Sequence, residues 1–249
     1  MLNTKNRISK FYTVAKIVVL LILNFALPIY AKMYEPITIQ QANHLAAVIH
    51  KNHQYTFYCN CAYSNKVVDL KSCGYLVQKN KKRAIRLEWE HIVPASMLGK
   101  DLPCWQKPIC CNEISCYQGR PCCQKTDPDF LKMATDLHNI VPAIGELNGI
   151  RSNYGFAELP QIKSHQFGSC YFKVDRKNKQ VEPRAKIKGT IARTYLYMAE
   201  RYKIVLTPRE KRLFLKWNKK YPPSVWEIEW NKRIQNIQND DNHYISKYN

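Results

Sequence analysis

Six of the ten cysteines in this 249-residue chain fall within the twenty residues from Cys104 to Cys123. Nothing else in the sequence restricts its folds as strongly. Crowded cysteines serve either structural zinc or disulfide bonds. The spacing here is C-x5-CC-x4-C-x5-CC, with no C-x2-C pair and no histidine inside the cluster. That lacks the usual ligand spacing of a zinc site. The other cysteines are Cys59, Cys61, Cys73 and Cys170, so the total is even. All ten are therefore expected to pair as disulfides in an oxidising compartment. Neighbouring cysteines rarely bond to each other, so Cys110/Cys111 and Cys122/Cys123 should each send two bridges elsewhere. The connectivity stays open.

The N-terminus agrees with export. Lys5, Arg7, Lys10 and Lys16 form a basic stretch free of acids, and Ile17 to Leu27 is an apolar run of signal-peptide length. Such a run is too short to span a bilayer. Ala31 offers a small residue for cleavage. Residues 1–31 are thus expected to be a signal peptide and 32–249 a single mature domain, with no stable membrane association after cleavage. Periplasm and secretion are both open destinations.

The formal charge is +20, and without residues 1–31 it would be +16, from 35 basic and 19 acidic side chains. An excess of that size favours a polyanionic partner: nucleic acid, anionic lipid or acidic polysaccharide. Charge alone does not choose among them.

Periodicity predicts an α+β domain, mostly helical. Ala42, Leu45, Ala46 and Ile49 give helical spacing over 38–51. Tyr55 to Tyr58 reads as a strand before a cysteine-stapled turn. "AIRLEWEHIV" (84–93) alternates with period two and is expected to be a strand ended by Pro94, with Ile85, Leu87 and Trp89 in the core. Residues 99–126 read as an irregular segment tied down by disulfides. Asp127 and Pro128 mark a helix start, and Pro142 is expected to open another helical piece through Asn148. Residues 170–184 read as a basic hairpin. Capping boxes at Thr207 and Ser224 open two late helices, and residues from 239 onward are expected to fray. Trp217, Trp226 and Trp230 are assigned to the core.

The chemistry concentrates in two stretches. In "RLEWEHIVPAS", Glu90 precedes His91. An ideal strand points the two side chains to opposite faces, so both serve one site only if the strand ends or kinks there. A carboxylate suits a hard cation such as Mg²⁺, and histidine suits a general base. Glu88 reads as a surface carboxylate paired with Arg86 or a lysine. In "DLHNIVPAIGELNGIRSNYG", Asn139, Asn148 and Asn153 sit among apolar residues. A buried asparagine needs a partner, and its amide oxygen is also a neutral ligand for a hard cation. Arg151 offers a bidentate clamp for phosphate.

Together these two motifs resemble the bacterial endonuclease I family, exported non-specific nucleases with a ββα-metal (His-Me finger) site. The resemblance covers the chain from the Thr38 helix to the Arg184 region. It implies His91 as general base, Glu90 and Asn139 as ligands of one Mg²⁺, and hydrolysis of DNA, with RNA as a further substrate, to 5′-phosphate ends. A monomer is expected. The family holds the phosphate with an arginine after the histidine segment. Here no arginine lies between His91 and Arg120, so Arg120 and Arg151 are both candidates. The alternative is a catalytically weak, basic DNA-binding protein of the same fold.

Overall fold

The computed structural model describes residues 37–248. The expected signal peptide lies outside the described residues. Helix α1 (Ile39–Ile49) starts at a Thr38–Gln41 capping box and buries Ala42, Ala46 and Ile49. Tyr55 to Tyr58 do not form the expected strand. They make a turn in which Tyr55 bridges Ala62 and the Phe57 amide donates to Pro142 O. Left-handed Asn60 and the Cys61–Cys73 and Cys59–Cys170 bridges bend the chain there. A two-residue hairpin follows, β1 (Tyr63–Ser64) and β2 (Val67–Val68).

A short helix α2 (Lys81–Ala84), capped by Asn80, leads into β3 (Leu87–His91). The strand is therefore shorter than its periodicity implied, and Ile85 is 41% exposed rather than in the core. Pro94 then caps α3 (Ala95–Gly99). The cysteine-rich segment contains α4 (Pro103–Gln106), a small hairpin of β4 (Cys110–Cys111) and β5 (Cys116–Tyr117), and α5 (Arg120–Thr126). Three disulfides staple it: Cys104–Cys123, Cys110–Cys122 and Cys111–Cys116. All ten cysteines are paired, and no adjacent pair bonds to itself.

Asp127 caps α6 (Pro128–Ala134) as expected, accepting from the Phe130 amide. A 3₁₀ turn, Leu137–Asn139, opens β6 (Ile140–Ile144). Here the expected helix from Pro142 through Asn148 begins only at Gly145. Residues 140–144 are a wholly buried strand antiparallel to β3, with Trp89 opposite Pro142 and His91 opposite Ile140. In a two-stranded ladder each strand is an edge, where proline is tolerated. Periodicity does not separate a short apolar run of this kind from a helix. Helix α7 (Gly145–Arg151) follows and packs against both strands, completing a ββα unit. Its first residue has no room for a side chain, since a Cβ on Gly145 would lie 2.6 Å from Arg83 O.

The rest covers this unit. Strand β7 (Gly155–Phe156) runs parallel to β9, and β8 (Phe172–Asp175) forms the expected hairpin with β9 (Gln180–Pro183). Helix α8 (Ala185–Tyr202) is the long central helix, against which α9 (Pro208–Lys220) packs. Helix α10 (Val225–Gln238) starts at Ser224, but Glu227 does not close the box: its carboxylate holds Arg193. The tail is not frayed. It forms α11 (His243–Ser246), buries Asn242 and Ile245, and the Asn242 amide donates to Arg193 O. Trp217 and Trp230 are core residues, as expected.

Candidate active site

Strand β3 ends at His91, and there the strict alternation of faces stops. Glu90 and His91 are both buried, each 5% exposed, and both line one cleft of about 910 Å³. One wall is α1, through Gln40, Asn43 and His44. The other is α7 and the residues after it, through Asn148, Arg151 and Ser152, with Arg120 at the start of α5. The sequence condition for a shared site, a strand that ends at the pair, is met.

Glu90 is gripped from behind. Its Oε1 accepts from the Tyr58 hydroxyl at 3.1 Å and from Arg151 Nη1 at 3.0 Å. Oε2 makes no hydrogen bond to the described residues. Burial pushes the Glu90 carboxyl above its ordinary value, against the pull of Arg151 and Tyr58. Arg151 is 0% exposed and is consumed by this task. Nη1 also donates to His91 O at 2.8 Å, and Nη2 to Ile92 O at 2.6 Å. A guanidinium so committed ties the end of β3 to α7.

His91 has a fixed orientation. Its Nε2 lies 2.7 Å from Ala134 O. A carbonyl only accepts, so Nε2 carries the proton and the lone pair of the neutral ring is on Nδ1. Burial, helped by the charge of Arg120, lowers the His91 pKa to about 4. The imidazole is therefore neutral at physiological pH.

Arg120 differs from Arg151. It lines the cleft and, among the described residues, makes no hydrogen bond or ion pair. Its charge is felt by both Glu90 and His91. It sits at the first turn of α5, which the Cys110–Cys122 and Cys104–Cys123 bridges lock in place.

Asn139 is brought beside the pair without lining the cleft. It is fully buried, its Oδ1 accepts from Val93 N at 2.7 Å, and its Nδ2 donates to Val93 O at 3.0 Å. The amide thus splints the backbone two residues past His91, and Oδ1 retains a second lone pair. The turn carrying Asn139 is itself braced by buried Asp136. That carboxylate takes hydrogen bonds from His138 N, Gln238, Tyr197 and Tyr202. Burial alone would raise its pKa, but the His138 ring, whose Nδ1 lies 3.4 Å away, and the donors from Gln238 and Tyr202 hold it at about 2.

Glu88 is held by Arg83 and Arg86, and accepts from Asn148 Nδ2 at 3.0 Å. Burial acts to raise its pKa, yet the two arginines keep it below the usual carboxylate value. Asn153 is exposed at the cleft edge.

The family model for endonuclease I matches residues 29–248. The chain belongs to the endonuclease I family. Endonuclease-1 of Buchnera aphidicola subsp. Acyrthosiphon pisum (strain APS) is 42% identical over 212 residues, covering 84% of this chain and 80% of that protein. A periplasmic deoxyribonuclease of Aeromonas hydrophila is 41% identical over 223 residues, covering 85% of this chain and 89% of its own. An extracellular deoxyribonuclease of the same organism is 41% identical over 227 residues, covering 89% and 92%. Tyr58 braces Glu90 from behind, and Asp136 braces the turn that carries Asn139. Neither stands out in sequence. Tyr58 sits in a run of β-formers, and Asp136 is one acid before the "LHN" turn.

Proposed function

We propose that this protein is an exported, sequence-non-specific endonuclease that hydrolyses DNA, and RNA as well, using one Mg²⁺ per active site. The observation that carries the reading is a buried carboxylate and a neutral histidine at one strand end, facing an unpaired guanidinium in the same cleft. The first 31 residues supply the export signal, and the Aeromonas relatives bear the names periplasmic and extracellular.

The donor set fits a hard cation. Glu90 Oε2 and the second lone pair of Asn139 Oδ1 are both oxygen donors. Among the described residues no group of three or more His, Cys, Asp or Glu side chains is placed to hold a metal. A cation bound by so few protein ligands keeps its waters and takes phosphate oxygens, as Mg²⁺ does. When bound, Mg²⁺ would offset charge developing on the leaving 3′-oxygen.

The chain's own residues do the rest. His91 Nδ1 accepts a proton from water, while the bond to Ala134 O keeps the ring from turning. The water oxygen bonds to phosphorus as the bond to the 3′-oxygen breaks, the 3′-oxygen takes a proton from solvent, and the phosphate stays on the 5′ end. Arg120 neutralises the phosphate as its charge builds. Arg151 and Tyr58 hold Glu90, and Arg151 takes no direct part.

The test is digestion of supercoiled plasmid and of a structureless RNA by the mature protein, with Mg²⁺, with EDTA, and with Mg²⁺ restored. Degradation of both that stops with EDTA and returns with Mg²⁺ is expected. Retention of DNA without cutting in any condition would instead favour the binding-protein alternative.

A further inference from the structure

A second hollow, of about 200 Å³, shares no lining residue with the active cleft. Val141 and Pro142 line it, and these pair with Glu90 and Trp89 across the β3–β6 ladder. Three of its features have no direct role in the proposed mechanism.

The first is His50. It is 4% exposed, it lines the hollow, and neither ring nitrogen makes a hydrogen bond of good geometry among the described residues, the backbone of His53 being the nearest polar group that acts on it. Buried polar atoms are normally paired. Burial depresses its pKa to about 3, so the ring is neutral and offers one donor and one acceptor. The second is a flat wall. His53 lies parallel to Trp226 with ring centroids 3.9 Å apart. The third is Arg184. It is half-buried, and its Nε and Nη2 donate to Tyr58 O and Phe57 O. Among the described residues no carboxylate pairs with it. The one acid in the lining, Glu227, is taken by Arg193 at 2.6 Å and Thr190 at 2.8 Å. An uncompensated guanidinium in a partly buried setting favours an anion. Exposed Lys186 adds a second cation to the lining.

The complementary ligand has a planar ring bearing both donor and acceptor atoms, with an anion close by. A nucleotide carries both parts, and aromatic faces accept any base. The volume of about 200 Å³ is below that of typical drug-sized ligand pockets, so it takes only the base of one nucleotide, with the sugar and phosphate at the rim beside Arg184 and Lys186. We propose that this hollow is a single-nucleotide-binding site, with the base at His50 and the His53–Trp226 wall and the phosphate at Arg184 and Lys186. The nucleotide is either free or the phosphorylated end of a strand. Binding here is independent of catalysis, so it can be read whether or not the protein cuts nucleic acid.

The experiment is a ¹H–¹⁵N titration of the mature protein in EDTA with dAMP, inorganic phosphate, adenosine and a 5′-phosphorylated oligonucleotide. Saturable shifts at Trp226, Trp230 and Thr190 with dAMP are expected. Phosphate and adenosine should bind at least tenfold more weakly, and His50→Phe should weaken dAMP at least tenfold. His53→Ala is the second variant should His50→Phe not fold. It removes half of the wall and is expected to weaken dAMP by a similar factor. If the oligonucleotide saturates the same signals, the ligand is a strand end; if only dAMP does, it is the free nucleotide. Either result supports the site. Shifts confined to the active cleft, equal affinity for phosphate alone, or unchanged dAMP binding in the folded variants would overturn it.

Discussion

Two arginines face the site, and their surroundings predict opposite phenotypes. Arg151→Met keeps the volume of the side chain but removes the partner of Glu90 Oε1 and two donors to the carbonyls of His91 and Ile92. Removing one member of a buried ion pair costs about 3–5 kcal/mol, because the other charge is left uncompensated. For a domain of this size each kcal/mol lowers Tm by about 2–4 °C, so a fall of about 6–20 °C is expected. Arg120 has no partner among the described residues to strand. Arg120→Ala should therefore change stability by no more than about 0.5 kcal/mol. It should cut the rate of plasmid cleavage by about 10²–10³, as loss of one charge-stabilising contact does. Thermal melts by circular dichroism and initial rates on supercoiled DNA read the two effects separately. The reasoning is refuted if Arg151→Met melts with the wild type, or if Arg120→Ala cuts DNA at the wild-type rate.

Three further outcomes follow from buried groups and bridges. His50 has an ordinary pKa of 6.5 when unfolded and about 3 when folded. Its contribution is therefore complete above pH 6.5 and is lost as pH falls toward 3. At pH 4.5 this amounts to about 3 kcal/mol, lost by wild type but not by His50→Phe, so their urea midpoints should lie closest at pH 7.5 and separate at pH 4.5, with the variant the more stable. Tyr58→Phe removes a hydrogen bond to Glu90 Oε1; the Mg²⁺ concentration for half-maximal cleavage should rise about 10–100-fold, as when an outer-shell partner is lost. The Cys59–Cys170 bridge spans 111 residues of sequence and Cys111–Cys116 only 5. Replacing each pair by serine should cost about 5 and about 2 kcal/mol respectively, measured as urea midpoints in oxidising buffer.

Much of the candidate site was legible because its residues are local in sequence. Glu90 and His91 are neighbours, and Pro94 marks where β3 must stop. The disulfide reading rested on spacing, which needs no fold. What stayed illegible depends on distant partners. Nothing near Arg151 reveals that its guanidinium reaches back to Glu90, 61 positions earlier, and so it read as a phosphate clamp. Asn139 is of a type suited to a hard cation, but only the fold shows its amide committed to Val93. The apolar run 140–144 has no period to distinguish strand from helix, and Pro142 tipped the reading the wrong way. The tail looked polar and loose because Asn242 is buried by a hydrogen bond to Arg193 O, 49 positions earlier.

The central claim is that His91 Nδ1 takes the proton from the attacking water. Single-turnover cleavage of plasmid DNA by purified His91→Ala, at saturating Mg²⁺ and beside a urea melt of the same sample, tests it most directly. Loss of a general base predicts a rate lower by about 10²–10⁴. The fold should persist, since one bond to Ala134 O is worth about 1 kcal/mol. Cleavage within tenfold of wild type by the folded variant would contradict the account.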